Sequence, residues 1–337
     1  MKLTRLTKLG AVAAVAALAL TGCGGSSSGG GETGGGENTA VMYSSNNETT
    51  IGVVVDQAAK ADPKLKVEVV TGSSGPLLER IKAEAGKNSA DVFYGAPAAT
   101  LEEYADLVEP YESPEAKAIP ENLVDPEHRW TATNVHVVAF MANTDQIDNK
   151  TAPKTWKELT DPKWKGKLIV ADPEQSTTAL TALYGAYKVL GEADFKKLAA
   201  NLEVSASSGN VYPAVANGEY AVSIGYESNI YPYVAGGQAG VEIVYPSDGT
   251  FVEEDSVIII KDPAHPDAAK QLIDTILAKE TQEELLAQSY RRPSRSDIDV
   301  SQFVEFPKLE DLTIVDIHAD EDTKGRTDFL KFWKSVS

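Results

Sequence analysis

At 337 residues, 42% of them apolar, and with a formal net charge of −19 at pH 7, the chain is long enough to bury the cores of two domains or lobes. A surface this acidic repels phosphate backbones and excludes nucleic acid as a partner. The only cysteine, Cys23, excludes a disulfide framework and a thiolate metal site.

Lys2, Arg5 and Lys8 precede an apolar run from Leu9 to Leu20, too short to span a bilayer as a mature helix. Leu20-Thr21-Gly22-Cys23 follows at once. This tetrapeptide resembles the lipobox of bacterial lipoproteins, which implies cleavage before Cys23, acylation of its thiol and delivery outside the cytoplasm. Residues 1–22 are then a signal peptide, and the loss of their three positive charges takes the net charge from −19 to −22. Residues 23–38 form a Gly- and Ser-rich stretch with almost nothing apolar, expected to remain a flexible tether. Attachment to the membrane would rest on the lipid, because basic patches are lacking.

Folded structure is expected from Ala40-Val41-Met42-Tyr43, a short buried strand ending in the polar cluster Ser44 to Glu48. Ile51, Val54, Val55 and Ala58 recur at helical spacing behind it. The unit repeats, with a strand over Lys66 to Val70, a small polar loop from Thr71 to Gly75, and a helix marked by Leu77, Leu78, Ile81 and Ala85. A third strand, Asp91 to Tyr94, precedes Gly95-Ala96-Pro97. Alternating strands and helices point to an α/β fold whose ligands sit at the carboxyl ends of the strands. Further on come a longer strand over Val135 to Asn143, a turn-rich stretch from Trp156 to Gly166, and a strand over Leu168 to Ala171. Ser176 caps a helix carrying Leu180, Leu183, Tyr187 and Leu190 on one side. The strand Tyr220 to Gly225 leads into Tyr226, Glu227, Ser228 and Asn229. Val257 to Ile260 reads as a central strand, and helices follow from His265 to Leu277 and from Thr281 to Ala287.

Tyr43-Ser44-Ser45, Thr71-Gly72-Ser73-Ser74-Gly75, Ala90-Asp91-Val92, Asp161 to Lys167, Asn217-Gly218-Glu219-Tyr220, Tyr245 to Thr250 and Arg291-Arg292-Pro293 occur in that order. Together they make the chain from Ala40 onward resemble periplasmic binding proteins of the ferric-iron type, closest to the branch handling phosphonates and sugar phosphates. The resemblance implies a type 2 fold of two lobes with mixed sheets, helices on both faces and a ligand cleft between the lobes that closes by hinge motion. It also implies delivery of solute to an ABC permease. The crossings are expected near Trp130 to Thr133 and Phe251 to Asp255, giving a first lobe of residues 39–132 and 252–337 and a second of 133–251. The protein is expected to work as a monomer and without a cofactor.

Three loops carry the expected chemistry. Ser44, Ser45 and Asn46 precede one helix, Ser73, Ser74 and Gly75 a second, and Ser176, Thr177 and Thr178 begin a third. Backbone N–H groups at a helix start lack intrahelical partners and carry partial positive charge, so such ends with hydroxyls can hold an oxyanion without lysine. Serine and threonine also cap helices with no ligand involved, and a single loop would not distinguish the two roles. Tyr94, Ser208 and Tyr212 are further candidates on the cleft edge, with Tyr226 and Glu227 after the following strand. The Glu227 carboxylate would meet the polar or cationic far end of the ligand, and Asp255 is a second group of that kind. Arg291, Arg292 and Arg295 lie near a helix end, where such clusters usually face solvent; turned inward, they would add charge to the anion site.

Ferric iron is the alternative ligand, with Tyr226 and Glu227 as its candidate metal-binding residues. The resemblance would call for adjacent tyrosines, whose phenolates suit a hard cation, but Tyr226 stands beside Glu227. Catalysis is not expected. His128, His136, His265 and His318 are scattered, and no nucleophile-elbow, zinc-protease, phosphate-loop or dinucleotide motif occurs.

Overall fold

The computed structural model describes residues 38–87, 89–317 and 323–337. The proposed signal peptide, Cys23 and almost all of the tether lie outside these residues. Asn38, assigned to the tether from composition, already belongs to the first strand, where it pairs with Leu65.

The strands are β1 (Asn38–Ser44), β2 (Leu65–Thr71), β3 (Val92–Ala96), β4 (Val108–Glu109), β5 (Thr131–Asn143), β6 (Leu168–Ala171), β7 (Leu202–Ser205), β8 (Val222–Tyr226), β9 (Val241–Val244), β10 (Val252–Ile260) and β11 (Arg292–Pro293). The helices are α1 (Glu48–Ala61), α2 (Ser74–Ala83), α3 (Ala98–Glu102), α4 (Thr177–Ala199), α5 (Ser208–Ala216), α6 (Glu227–Ala235), α7 (Pro266–Leu277), α8 (Lys279–Ser289) and α9 (Thr323–Val336). The main path of strands runs β2-β1-β3-β10-β5-β8-β6-β7. In the first half, β1 lies parallel to β2 and β3, and β10 runs antiparallel to β3. In the second, β6 lies parallel to β7 and β8, while β8 and β9 run antiparallel to β5. The sheet is therefore mixed, because the βαβ units that demand parallel pairing are interrupted by the two long strands β5 and β10.

β5 joins the halves. Its first residues pair with β10 and β11 and its last with β8 and β9. All thirteen of its residues are buried, as expected of a strand covered on both faces.

Each half buries its own core, and a smaller cluster of Tyr231, Leu286, Ile298, Val304 and Phe306 packs α6 against α8. One face of β1, β3 and β10 meets α1 and α7 through Met42, Val54, Val92, Leu272 and Ile276, and the other meets α2 through Tyr43, Leu78, Phe93 and Ile258. The second core gathers Phe140, Trp156, Leu168, Leu183, Phe195 and Val222 around β5, β6, β8 and α4. The end of the chain departs from the expected division. Phe329 and Trp333 of α9 enter the second core, so α9 does not stay with the first lobe.

Local chemistry sets the helix starts that matter for function. Asn47 caps α1 by accepting from the Thr50 N–H at 2.9 Å, and Ser176 caps α4 by accepting from Ala179 at 3.3 Å. Ser73 occupies the cap position of α2 but makes no capping bond with its side chain.

Candidate functional site

A polar cavity of about 240 Å³ lies between the lobes. Ser45, Asn46, Ser73, Ser74, Gly95 and Pro97 line it from the first lobe, and Gln175, Thr177, Thr178, Tyr226 and Asn229 from the second. His136, Asp255 and Arg291 complete it where the lobes join. A larger cavity of about 530 Å³ sits between α3 and residues 309–317, but its lining is mainly aliphatic. The smaller one is lined mainly by polar and charged side chains.

Two irregularities shape its floor. Along β10, Ser256 pairs with Ala96 and Val257 with Tyr94, so Gly95 is the extra residue in β3. On the other side, Asp255 pairs with Asn134 and Ser256 with Ala132, leaving Thr133 extra in β5. Such bulges re-aim side chains beside them, and the two fall at successive steps of β10, Ser256–Val257 facing β3 and Asp255–Ser256 facing β5. Gly95 has φ +115°, a conformation natural to glycine. The Thr133 hydroxyl donates to the Asp255 carbonyl at 2.9 Å.

Asp255 Oδ2 takes Nη1 of Arg291 at 2.8 Å and meets Nε2 of His136 at 3.1 Å. Burial works to raise its pKa, but His136 and Arg291 outweigh that and hold the carboxyl well below the usual range. The His136 ring stacks on Tyr226 with centroids 4.4 Å apart. The Tyr226 hydroxyl is turned to Glu253, donating at 2.7 Å. Burial, and then the Glu253 charge, push that phenol well above its ordinary pKa.

Of the residues expected from the sequence, Ser45, Asn46, Ser73, Ser74, Thr177, Thr178, Tyr226 and Asp255 border the cavity. The others do not line it. Ser44 is fully buried and donates to the Tyr94 carbonyl at 2.9 Å. Gly75 and Ser208 are exposed outside it. Tyr94 is a core residue whose phenol is raised to about 12 by burial. Ser176 supports the site as the α4 cap. Tyr212 stands one step behind, accepting from Asn229 Nδ2 at 3.3 Å.

Glu227 is the clearest departure. It opens α6 instead of ending a solvated loop, is 1% exposed, and pairs with Arg292, whose Nη2 lies 3.0 Å from Oε2. Tyr245 donates to the same carboxylate at 2.7 Å. Burial raises the Glu227 pKa while Arg292 opposes the shift. With its oxygens so occupied, Glu227 braces β11 against α6, and Asp255 is the carboxylate that reaches the cavity.

The arginine cluster also differs from a surface one. Arg291 and Arg292 are buried, and Arg295 pairs with Glu115 and Asp297. Sequence reading assigned no site role to Gln175, Asn229 or His136. His136 sits inside an apolar strand, where nothing in the local pattern marks it.

Two α/β lobes closing on a polar cavity at strand ends and helix starts define a two-lobed solute receptor. The chain belongs to the bacterial extracellular solute-binding proteins, whose family model matches residues 87–316. It is 26% identical over 248 residues to a putative 2-aminoethylphosphonate-binding periplasmic protein of Salmonella typhimurium, covering 70% of this chain and 72% of that one. It is 30% identical over 158 residues to iron uptake protein A1 of Synechocystis, covering 41% and 43%. Among solved structures it resembles the periplasmic binding protein AfuA of Actinobacillus pleuropneumoniae with fructose-6-phosphate bound. That likeness has a TM-score of 0.77 at 26% identity, over 88% of this chain and 98% of that one. The protein is thus an extracytoplasmic receptor of an ABC importer and not an enzyme.

Proposed function

We propose that the solute is a small organic phosphate or phosphonate, such as a sugar phosphate or an aminoalkylphosphonate, held at the 240 Å³ cavity. The observation that carries this reading is the supply of uncommitted donors around it. The hydroxyls of Ser73, Thr177 and Thr178, and Nε and Nη2 of Arg291, border the cavity without a hydrogen bond to the described residues. Thr177 and Thr178 stand in the first turn of α4, where backbone N–H groups lack intrahelical partners and the helix dipole favours an anion.

Binding would draw Gln175 to Thr178 toward Ser73 and Arg291, with bending at β5 and near Phe251. Closure would then be the form offered to the permease. The lobe division is assigned as residues 38–132 with the chain from 252 to about 312, against 133–251 joined by Val315, Ile317 and α9. Anchoring through an acylated Cys23 would hold the monomer beside that permease and raise its effective concentration there.

Calorimetric titration with ethylphosphonate and glucose-6-phosphate tests the reading. A Thr177→Val, Thr178→Val double variant is expected to lose at least about tenfold in affinity, since two charge-assisted bonds are removed. Unchanged affinity would refute the placement of the anion. Ferric iron is disfavoured because the Tyr226 hydroxyl is committed to Glu253. Also, among the described residues no three His, Cys, Asp or Glu side chains are grouped to hold a metal.

A further inference from the structure

The cavity's hydrogen-bonding groups are sorted by direction. The Ser45 and Ser74 hydroxyls both donate to the Gly95 carbonyl, Ser74 at 3.1 Å. A hydroxyl has one proton, so each of these oxygens can only accept from a ligand. Asn46 Nδ2 donates to the Tyr94 carbonyl at 3.3 Å, which fixes the amide and leaves Oδ1 as an acceptor. Asp255 uses Oδ2 for His136 and Arg291, while Oδ1 has no hydrogen bond to the described residues. Ser45, Asn46, Ser74 and Asp255 all line the cavity. The first three converge on the bulge at Gly95, where an added Cβ would lie 2.7 Å from both Asn46 Nδ2 and Ser45 Oγ. The donors of α4 line the cavity from the second lobe, and Arg291 stands beside Asp255 where the lobes join.

Resting on the organic phosphate or phosphonate reading, we propose that the Gly95 bulge builds a second subsite, one that accepts the ligand's primary ammonium group. Ser45 Oγ, Ser74 Oγ, Asn46 Oδ1 and Asp255 Oδ1 receive it, and the phosphorus oxyanion faces α4. The ligand is a zwitterion bound in one orientation, with its cation on the first lobe and its anion on the second. This differs from an arrangement in which all three serine-bearing loops grip the anion. It also transfers to Asp255 the recognition expected of Glu227. Burial opposes ionisation of Asp255, but His136 and Arg291 keep it a carboxylate in neutral solution, so Oδ1, which neither of them engages, is an acceptor for the ammonium.

Three ligands of nearly equal size separate the possibilities in titration calorimetry: 2-aminoethylphosphonate, 2-hydroxyethylphosphonate and ethylphosphonate. The amine is expected to bind at least about tenfold tighter than the ethyl compound, with the alcohol between them. A Ser45→Ala, Ser74→Ala double variant should shrink that ratio severalfold, the amine losing more affinity than ethylphosphonate. Its melting temperature, compared with the wild type, controls for folding, and Asp255→Asn offers an independent removal of charge. Ethylphosphonate binding as tightly as the amine would overturn the ammonium subsite while leaving the phosphonate reading intact. So would the alcohol outbinding the amine, or the serine variant weakening all three ligands alike. Failure of all three to bind would overturn the ammonium subsite, and failure of glucose-6-phosphate as well would overturn the phosphate or phosphonate reading.

Discussion

Gly95 shows how one residue can serve backbone and site together. Its φ of +115° and the 2.7 Å approach of Ser45 and Asn46 leave no room for a Cβ. Gly95→Ala is expected to cost roughly 1–3 kcal/mol of stability and to abolish ligand-induced stabilisation, as denaturant unfolding with and without ligand would show. Asp255 makes a claim about pH. Its folded pKa lies below the ordinary carboxylate value of about 3.9, so the unfolded chain takes up the proton first. The stability it contributes is whole above about pH 4 and is lost as pH falls through the folded value. Asp255→Asn should therefore flatten the acid limb of a stability profile measured from pH 7 down to pH 3. Glu227 is the contrasting carboxylate. Glu227→Gln would leave the buried Arg292 without its counter-charge, at a cost of about 3–5 kcal/mol. Because Glu227 does not line the cavity, the ligand affinity of the folded variant should stay within a factor of two.

The strand–loop–helix order of the first lobe was legible because its signals are local. Met42, Val54 and Ala58 follow strand and helix periods, and Ser176 supplies a cap. The bulges in β3 and β5 were not legible, since they arise from pairing with β10, which is distant in sequence. The helix α9 was missed although Phe329, Phe332, Trp333 and Val336 give it an apolar stripe. What the stripe does not disclose is its destination. Arg326 in that helix lies 2.8 Å from the buried Glu253 carboxylate, which also receives the Tyr226 and Thr181 hydroxyls. Arg326→Gln should thus destabilise by about 3 kcal/mol in urea unfolding, and a second change, Glu253→Gln, should restore part of it. Full additivity of the two losses would contradict the pairing.

Across the molecule, the three serine-bearing loops come together in one cleft because β1, β2 and α4 bring their ends to the junction of the two halves. That convergence was readable from strand–loop–helix order. The partition of polar roles within the cleft was not, because it depends on which carbonyl each hydroxyl meets and on the burial of Glu227 beside Arg292. The most direct test of the receptor's chemistry is thermal melting against a panel of 2-aminoethylphosphonate, glucose-6-phosphate, inorganic phosphate and ferric citrate. An organic phosphate or phosphonate at a hundred times its dissociation constant is expected to add about 2.7 kcal/mol and to raise the melting temperature. Stabilisation by ferric citrate alone, accompanied by a visible phenolate-to-iron absorption band, would contradict it.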